Sequence, residues 1–166
     1  MLPAYVPNSA AAAVGGGTPI DGGRYWSDGR RLLGDGKTIR GFIGGVLCGC
    51  LVGGIQLFAQ SYPPLSVLPQ LNPWVIVLLA TGALAGDMIK SFFKRRVGIG
   101  RGGKWPVIDQ YDFVIGAFIF LIIGSPSFAG AYLTLPVIIT ILIITPILHR
   151  VVNIIGYKIG VKEVPW

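Results

Sequence analysis

The chain has 166 residues, enough for a single domain, and carries a formal net charge of +7. Its residues are 52% hydrophobic and only 13% charged, and the mean hydropathy is +0.68, whereas a soluble domain carries about 25% charged residues. So few charges exclude an ordinary water-exposed globule. We therefore predict an all-α, polytopic integral membrane protein that forms one domain over residues 1–166.

Hydropathy predicts five membrane-spanning helices. A helix needs about 20 residues, at about 1.5 Å per residue, to cross the apolar core of a bilayer. The N-terminal run contains Pro3, Pro7 and Asn8, which is typical of a shortened or re-entrant span; a cleaved signal peptide fits less well because no basic segment precedes it. The fourth run reaches a spanning length only if it begins near Asp109. The predicted spans are residues 1–17, 39–59, 72–95, 109–125 and 128–150.

Basic residues occur in alternate connections between the predicted spans. The two large polar loops, 18–38 and 96–108, and the tail from Arg150 contain basic residues, whereas loops 60–72 and 125–128 carry no charge. The positive-inside rule then places the N-terminus outside and the C-terminus in the cytoplasm. Two explanations of this basic cytoplasmic surface remain open. It could reflect topology together with attraction to anionic membrane lipids, or it could bind a multiply charged anion.

Glycines recur every four residues in two of the predicted spans. Gly41, Gly45, Gly49 and Gly53 form one such stripe, and Gly82 and Gly86 repeat the spacing in the next span. Residues four apart lie on one helix face, and small residues there allow another backbone to approach closely. We interpret both stripes as sites of tight helix packing.

Asp87 is an acidic residue inside a predicted span. It lies about 21 Å along the helix axis from Pro73, near the inner boundary of the apolar core, where a carboxylate is costly. Lys90, Ser91 and Lys94 follow on the same helix face. Two interpretations remain open: an internal Asp–Lys ion pair, or a metal ligand beside a phosphate-binding stripe.

Asp109 and Asp112 are three residues apart at the predicted start of the fourth span. Acidic residues at a helix N-terminus are also ordinary capping residues, so each by itself indicates little. Together with Asp87 they could form a cluster of three carboxylates, the oxygen ligands that suit Mg²⁺ bound to substrate phosphates. A metal beside basic residues is typical of phosphoryl or nucleotidyl transfer.

The first polar loop contains a Gly-Lys-Thr sequence, at Gly36 to Thr38. It is not a P-loop, because Arg31 occupies the position that would require glycine and no strand precedes it. A glycine-rich turn before a helix still exposes N–H groups, and Lys37 and Arg40 add positive charge, which favours a triphosphate cradle. The alternative is that these basic residues only anchor the span at the cytoplasmic side.

Three parts of the chain carry a family resemblance: residues 3–8 with 15–21, residues 28–41, and residues 86–96 followed by 109–112. In the third part, Ser91-x-x-Lys94-Arg95 precedes Asp109-x-x-Asp112. These parts resemble the archaeal CDP-archaeol synthases, membrane cytidylyltransferases related to the CDP-diacylglycerol synthases, and the third part fits the pattern of that wider group. Their order and spacing, over most of the chain, make the resemblance specific.

The chain departs from the wider synthase pattern at two places. Gln110 stands where that pattern has arginine, and residues 102–106 replace a His-Gly-Gly element. Both differences favour the archaeal branch. Only two residues precede Pro3, whereas members of the family begin with a longer apolar helix. This difference concerns the outer end of the first span and not the site.

The resemblance implies a reaction between CTP and an isoprenoid ether-lipid phosphate, 2,3-digeranylgeranyl-glycerol 1-phosphate, that yields CDP-archaeol and pyrophosphate. It implies a multi-pass protein of the cell membrane whose active site faces the cytoplasm, and no nucleic-acid partner. Asp87, Asp109 and Asp112 would hold Mg²⁺ and, with Lys94, would form the catalytic group. The residues expected at the CTP and its phosphates are Asp35, Gly36, Lys37, Thr38, Arg40, Lys90, Ser91 and Arg95.

Other classes fit the sequence less well. A CDP-alcohol phosphotransferase needs Asp-Gly-x-x-Ala-Arg, and the residues after Asp28-Gly29 do not match. A small membrane transporter should have broken helices or charges near the middle of the membrane. These spans carry no charge there, although Pro136 and Pro146 could kink the last one. A CDP-diacylglycerol-type synthase with another lipid phosphate remains an alternative. His149, at the inner end of the last span, is interpreted as structural or interfacial rather than as a metal ligand.

Overall fold

A computed structural model describes residues 1–160 as a bundle of helices. This confirms the predicted helical membrane class: α2, α3 and α6 are each long and apolar enough to cross a membrane. The number of spans and their orientation remain predictions. The helices are α1 (Leu2–Val14), α2 (Ile39–Ala59), the 3-10 turn η1 (Leu65–Val67), α3 (Pro73–Arg96), α4 (Ile108–Gly124), α5 (Pro126–Tyr132) and α6 (Leu135–Lys158).

Two of the long helices begin at polar caps. The Thr38 hydroxyl accepts a hydrogen bond from the Gly41 N–H at 3.1 Å, at the start of α2. The Asn72 side chain accepts from the Val75 N–H at 2.9 Å, at the start of α3. These bonds satisfy N–H groups that have no partner within the helix. They explain why both helices begin close to the predicted positions.

The last predicted span is divided in the structure. Instead of one run from residue 128, a short α5 ends at Tyr132 and α6 begins at Leu135 and continues to Lys158. Pro136 lies in the first turn of α6, where proline is tolerated because its missing N–H would have no helical partner. Pro146 lies inside α6. The first helix, with 13 residues, is about 20 Å long and so is shorter than a full apolar core.

The first glycine stripe packs α2 against two helices, as the sequence predicted. A β-carbon at Gly45 would lie 2.7 Å from the Pro7 carbonyl oxygen of α1, and one at Gly49 would lie 2.8 Å from the Ala80 β-carbon of α3. Distances below 3.0 Å leave no room for a side chain. The stripe therefore lets α1, α2 and α3 approach with their backbones close together.

The second stripe packs α3 against α4. Gly82 lies against Gly116, where a β-carbon would be 2.7 Å from the carbonyl oxygen, and Gly86 lies against Asp112. More than half of the buried residues within 1–160 belong to α3 and α4. Close approach of these two helices brings the C-terminal half of α3, with Asp87, beside the first turns of α4.

The last helix lies at the periphery of the bundle. Most of its side chains are exposed in the structure, and Thr145 and Asn153 are its buried residues. The Tyr5 hydroxyl lies 2.7 Å from the Thr145 Oγ1 and connects α1 to α6. Most of the outward side chains of α6 are apolar, which suits contact with lipid chains.

Candidate active site

A polar cavity of about 260 Å³ lies between the C-terminal half of α3, the start of α4 and the two polar loops. α1 and α6 also contribute to its lining, through Asn8 and Ala12 and through His149 and Asn153. Its lining combines acidic, basic and glycine residues from distant parts of the chain. They include Gly36, Lys37, Asp87, Lys90, Ser91, Lys94, Arg95, Gly103, Asp109 and Asp112.

Lys90 lies at the centre of three carboxylates. Its Nζ is 3.0 Å from Asp87 Oδ1, 2.7 Å from Asp112 Oδ2 and 3.4 Å from Asp109 Oδ1. The Lys90 side chain is 13% exposed and that of Asp112 only 3%. Because water is largely excluded, the attraction between these charges is only weakly screened.

Two further lysines complete the charge balance of the cluster. Lys37, from the first loop, forms an ion pair with Asp87 Oδ2. Lys94 lies 2.7 Å from Asp109 Oδ1 and donates a hydrogen bond to Asp109 Oδ2 at 2.9 Å. Three carboxylates therefore face three ammonium groups, and this balance offsets much of the cost of burying them.

The second polar loop is fixed to the same cluster. The Trp105 N–H donates to Asp109 Oδ2 at 2.7 Å, and the Lys94 ammonium donates to the Gly103 carbonyl at 2.7 Å. Ser91 donates its hydroxyl proton to the Asp87 carbonyl oxygen one turn earlier, at 2.9 Å, and is buried. These bonds orient the loop and the end of α3 around the cavity.

Asp21 organises the first polar loop. Its buried carboxylate accepts hydrogen bonds from the N–H groups of Gly23, Leu33 and Gly34 at 3.0–3.1 Å and from the Arg31 guanidinium at 2.7 Å. Burial by itself would raise the pKa of Asp21, but the Arg31 and backbone hydrogen bonds hold this pKa well below its usual range. The carboxylate thus fixes the loop that carries Lys37.

Arginines hold the first loop against the end of α3. The Arg96 guanidinium donates to Asp28 Oδ1 at 2.8 Å, and Arg30 donates to the Arg95 carbonyl at 3.2 Å. The Arg95 Nε donates to the Leu33 carbonyl at 3.1 Å. Arg30 is a cation beside the carbonyl end of a helix, a favourable position in the helix dipole.

The structure brings nine of the twelve predicted site residues to the cavity and leaves three outside its lining. Thr38 is buried as the cap of α2, and Asp35 is exposed and lies 2.7 Å from the Arg31 Nη1. The exposed Arg40 donates to the Val14 and Gly15 carbonyls at 2.6 Å, at the end of α1. The nine that line the cavity are Gly36, Lys37, Asp87, Lys90, Ser91, Lys94, Arg95, Asp109 and Asp112.

Among the cavity residues that were not predicted, four have polar side chains: Asn8, Arg101, His149 and Asn153. His149 stacks on Phe113, and its ring nitrogens lie 3.3 Å from the Asn153 amide nitrogen. This arrangement is compatible with the structural role expected for His149. The available signal was the spacing of His149 and Asn153, two polar residues four apart on a largely apolar helix.

The carboxylates have the oxygen chemistry that Mg²⁺ prefers. Asp109 Oδ1 and Asp112 Oδ2 are buried and make no hydrogen bond of good geometry, although each lies 2.7 Å from a lysine nitrogen. These oxygens can still accept a ligand, so the residues fit a magnesium site. Within residues 1–160 no three His, Cys, Asp or Glu side chains are grouped closely enough to hold a metal ion in this conformation, because Lys90 lies between the carboxylates.

Fold and cavity together define a helical membrane protein whose site suits phosphate groups. A family model described as CarS-like, CDP-archaeol synthase, matches residues 1–166. The chain therefore belongs to the CDP-archaeol synthase family, and it is an enzyme of the nucleotidyltransferase type in membrane lipid biosynthesis.

Individual relatives agree with the family model. CDP-archaeol synthases of Methanosphaerula palustris and Methanoculleus marisnigri are 61% and 60% identical over 166 residues, which is all of this chain and all of each relative. A solved structure, described as an intramembrane enzyme for archaeal membrane lipids biosynthesis, is 38% identical. It superposes with a TM-score of 0.72 over 93% of this chain and 90% of its own.

Proposed function

We propose that this enzyme forms CDP-archaeol and pyrophosphate from CTP and 2,3-digeranylgeranyl-glycerol 1-phosphate, with Mg²⁺. One observation carries the proposal: Asp87, Asp109 and Asp112 converge within 3.4 Å of the Lys90 nitrogen, in a cavity that basic side chains also line. Such a site offers both oxygen ligands for a metal and cations for phosphate oxygens.

The reaction needs no nucleophile from the protein. An oxygen of the lipid phosphate attacks the α-phosphorus of CTP; a new P–O bond forms there, and the bond to the β-phosphate oxygen breaks, so that pyrophosphate leaves. The attacking phosphate is already anionic, and no strong general base is required. The protein then contributes positioning and neutralisation of charge.

Basic side chains of the cavity would bind the triphosphate. Lys37 comes from the first loop and Lys94 from α3, and Arg95 lies one residue further along α3. The backbone of Gly36 adds a surface with no side chain. Mg²⁺, held by the three carboxylates, would neutralise part of the negative charge of the triphosphate.

A second cavity, of about 500 Å³, would receive the lipid phosphate. It lies between the start of α4 and the end of α6 and shares Asp109, His149 and Asn153 with the first cavity. Lys104 and Arg150 also line it, together with the apolar Val107 and Ile154. Charged and apolar groups side by side suit a phosphate attached to lipid chains that remain in the bilayer.

The proposed orientation has the cavity at the cytoplasmic face of the cell membrane. The basic loops that line it obey the positive-inside rule only in that orientation. Five spans, with the N-terminus outside, bring both polar loops and the C-terminus to this side. CTP then reaches the site from the cytoplasm, while the lipid enters from the membrane.

The decisive assay combines detergent-purified protein, radiolabelled CTP, Mg²⁺ and the unsaturated ether-lipid phosphate. We expect a labelled CDP-lipid, and its absence from a folded, monodisperse sample would refute the proposal. Phosphatidic acid as the only accepted lipid would instead support a CDP-diacylglycerol-type synthase. Solute transport into sealed liposomes without consumption of CTP would support a transporter.

A further inference from the structure

The two oxygens of Asp87 are both engaged by ammonium groups. Lys37 pairs with Oδ2, and Lys90 lies 3.0 Å from Oδ1. Asp109 is similarly occupied, because Lys94 lies within 2.9 Å of both of its oxygens. A metal ion that binds either residue must therefore compete with a lysine side chain for its carboxylate oxygens.

Lys90 is the lysine whose movement matters most. Its nitrogen contacts all three carboxylates, and within residues 1–160 it is the ion-pair partner of Asp112. Magnesium binds oxygens at about 2.0–2.1 Å, so an ion shared by these carboxylates would lie within the space that the Lys90 nitrogen fills. Two cations so close in a buried site repel each other strongly.

Lys90 also has somewhere to go. Its side chain lines the cavity beside Lys94 and Arg95, where the phosphates of the proposed substrate would lie. A lysine stem is long and flexible, and its ammonium binds phosphate as a point charge without a fixed geometry. It can therefore leave the carboxylates and contact a phosphate oxygen while its backbone stays in α3.

We infer that Lys90 is an internal counter-cation, which holds the three carboxylates together without metal and transfers to the nucleotide phosphates when metal and CTP bind. This inference rests on the proposed function and adds a consequence to it. Metal alone must compete with Lys90 and binds weakly. Metal with CTP binds well, because the displaced ammonium gains a phosphate partner.

The test measures binding of Mn²⁺, a spectroscopic substitute for Mg²⁺, to the full chain without nucleotide by electron paramagnetic resonance. Lys90→Gln and Lys90→Met should bind Mn²⁺ about tenfold more tightly than the wild type, since they remove the competing cation. Lys158→Met, which removes the same charge from the exposed end of α6, should not change the affinity. The rise in melting temperature on adding Mn²⁺ should also be larger in the two Lys90 variants.

Unchanged or weaker Mn²⁺ binding in folded Lys90→Gln protein would overturn the inference. Lys90→Arg guards against a folding defect: it keeps the charge at the carboxylates, and it should gain no affinity. A gain equal to that of Lys90→Gln would also contradict displacement of a cation. If the wild type fails to bind Mn²⁺ even with CTP, the proposed function itself fails. If the wild type binds Mn²⁺ with CTP, but Lys90→Gln has no higher Mn²⁺ affinity than the wild type without nucleotide, only the role of Lys90 is refuted.

Discussion

Gly86 lies against the main-chain carbonyl of Asp112, so closely that a β-carbon at Gly86 would collide with that oxygen. Gly86 immediately precedes Asp87 on α3, and Asp112 lies near the start of α4. The absence of a side chain at residue 86 is thus what allows the two carboxylates to face the same lysine. At this contact, the packing of α3 against α4 also brings together two carboxylates of the site, Asp87 and Asp112.

Gly86→Ala should separate α3 from α4 and disrupt the cavity. The added methyl group meets backbone atoms, which cannot rotate away. An extra methyl group in a packed core usually costs about 1–3 kcal/mol, and we expect the free energy of unfolding to fall by an amount near the upper end of that range. A shift of about 1 Å between catalytic groups should lower the rate of CDP-lipid formation about 100-fold. Thermal unfolding in detergent and the CTP assay measure the two effects.

Gly54→Ala is the matched control. Gly54 lies in α2, where a β-carbon would meet no atom within 4 Å. This variant should keep both its melting temperature and its activity. Equal losses in the two variants would show that glycine replacement in these helices is harmful in general, and the close contact at Gly86 would not be the cause.

The three carboxylates should each be essential for transfer. Asp87→Asn, Asp109→Asn and Asp112→Asn keep the shape of the side chain but remove the charge that would hold a metal ion, and we expect kcat/KM to fall about 1000-fold or more. Size-exclusion chromatography should show monodisperse protein. Asp35→Asn, at an exposed carboxylate outside the cavity lining, serves as the charge control. Near-normal rates in all three variants would refute the metal assignment.

Lys37 and Arg40 should behave differently, although the sequence suggested phosphate binding by both. Lys37 lines the cavity. Lys37→Met should therefore raise the KM for CTP roughly tenfold to 100-fold, because that is the loss of affinity expected when one charge-assisted hydrogen bond is removed. Arg40→Met should mainly lower the melting temperature, because Arg40 binds carbonyls at the end of α1. An equal rise in KM would show that Arg40 reaches the nucleotide.

The Asp21 carboxylate should make the stability of the protein depend on acid pH. Its pKa is lower in the folded protein than the value of about 3.9 in an unfolded chain. Its contribution is therefore complete above that value and is lost as the pH falls below it. Asp21→Asn should cost about 2 kcal/mol or more at pH 7, and the difference from the wild type should shrink below about pH 4.

The exposed Asp35 provides the comparison for Asp21. It pairs with the same arginine, Arg31, at 2.7 Å, but its side chain is 65% exposed. Asp35→Asn should therefore change the melting temperature little at any pH, as exposed ion pairs contribute little. A pH-independent gap between Asp21→Asn and the wild type would contradict the assigned role of the Asp21 charge.

Much of the fold is predictable because local patterns determine it. Apolar length and the residues Thr38 and Asn72 locate the starts of α2 and α3, and four-residue glycine spacing identifies the faces that pack. The break between α5 and α6 was missed. Every residue between Ala129 and Leu148 is uncharged, so hydropathy gave no reason to divide the run.

The sequence alone determined that this is a helical membrane protein, and it located acidic and basic groups near the ends of two helices. Both conclusions depend on the length, apolarity and charge of continuous segments, which can be read without the tertiary structure. Only the tertiary structure decided which charges meet. It placed Lys90 between three carboxylates and turned Arg40 toward α1, since such pairings depend on side-chain direction and on contacts between residues far apart in the chain. The glycine contact at Asp112 fixed the distance between α3 and α4, and this distance makes a single site of them.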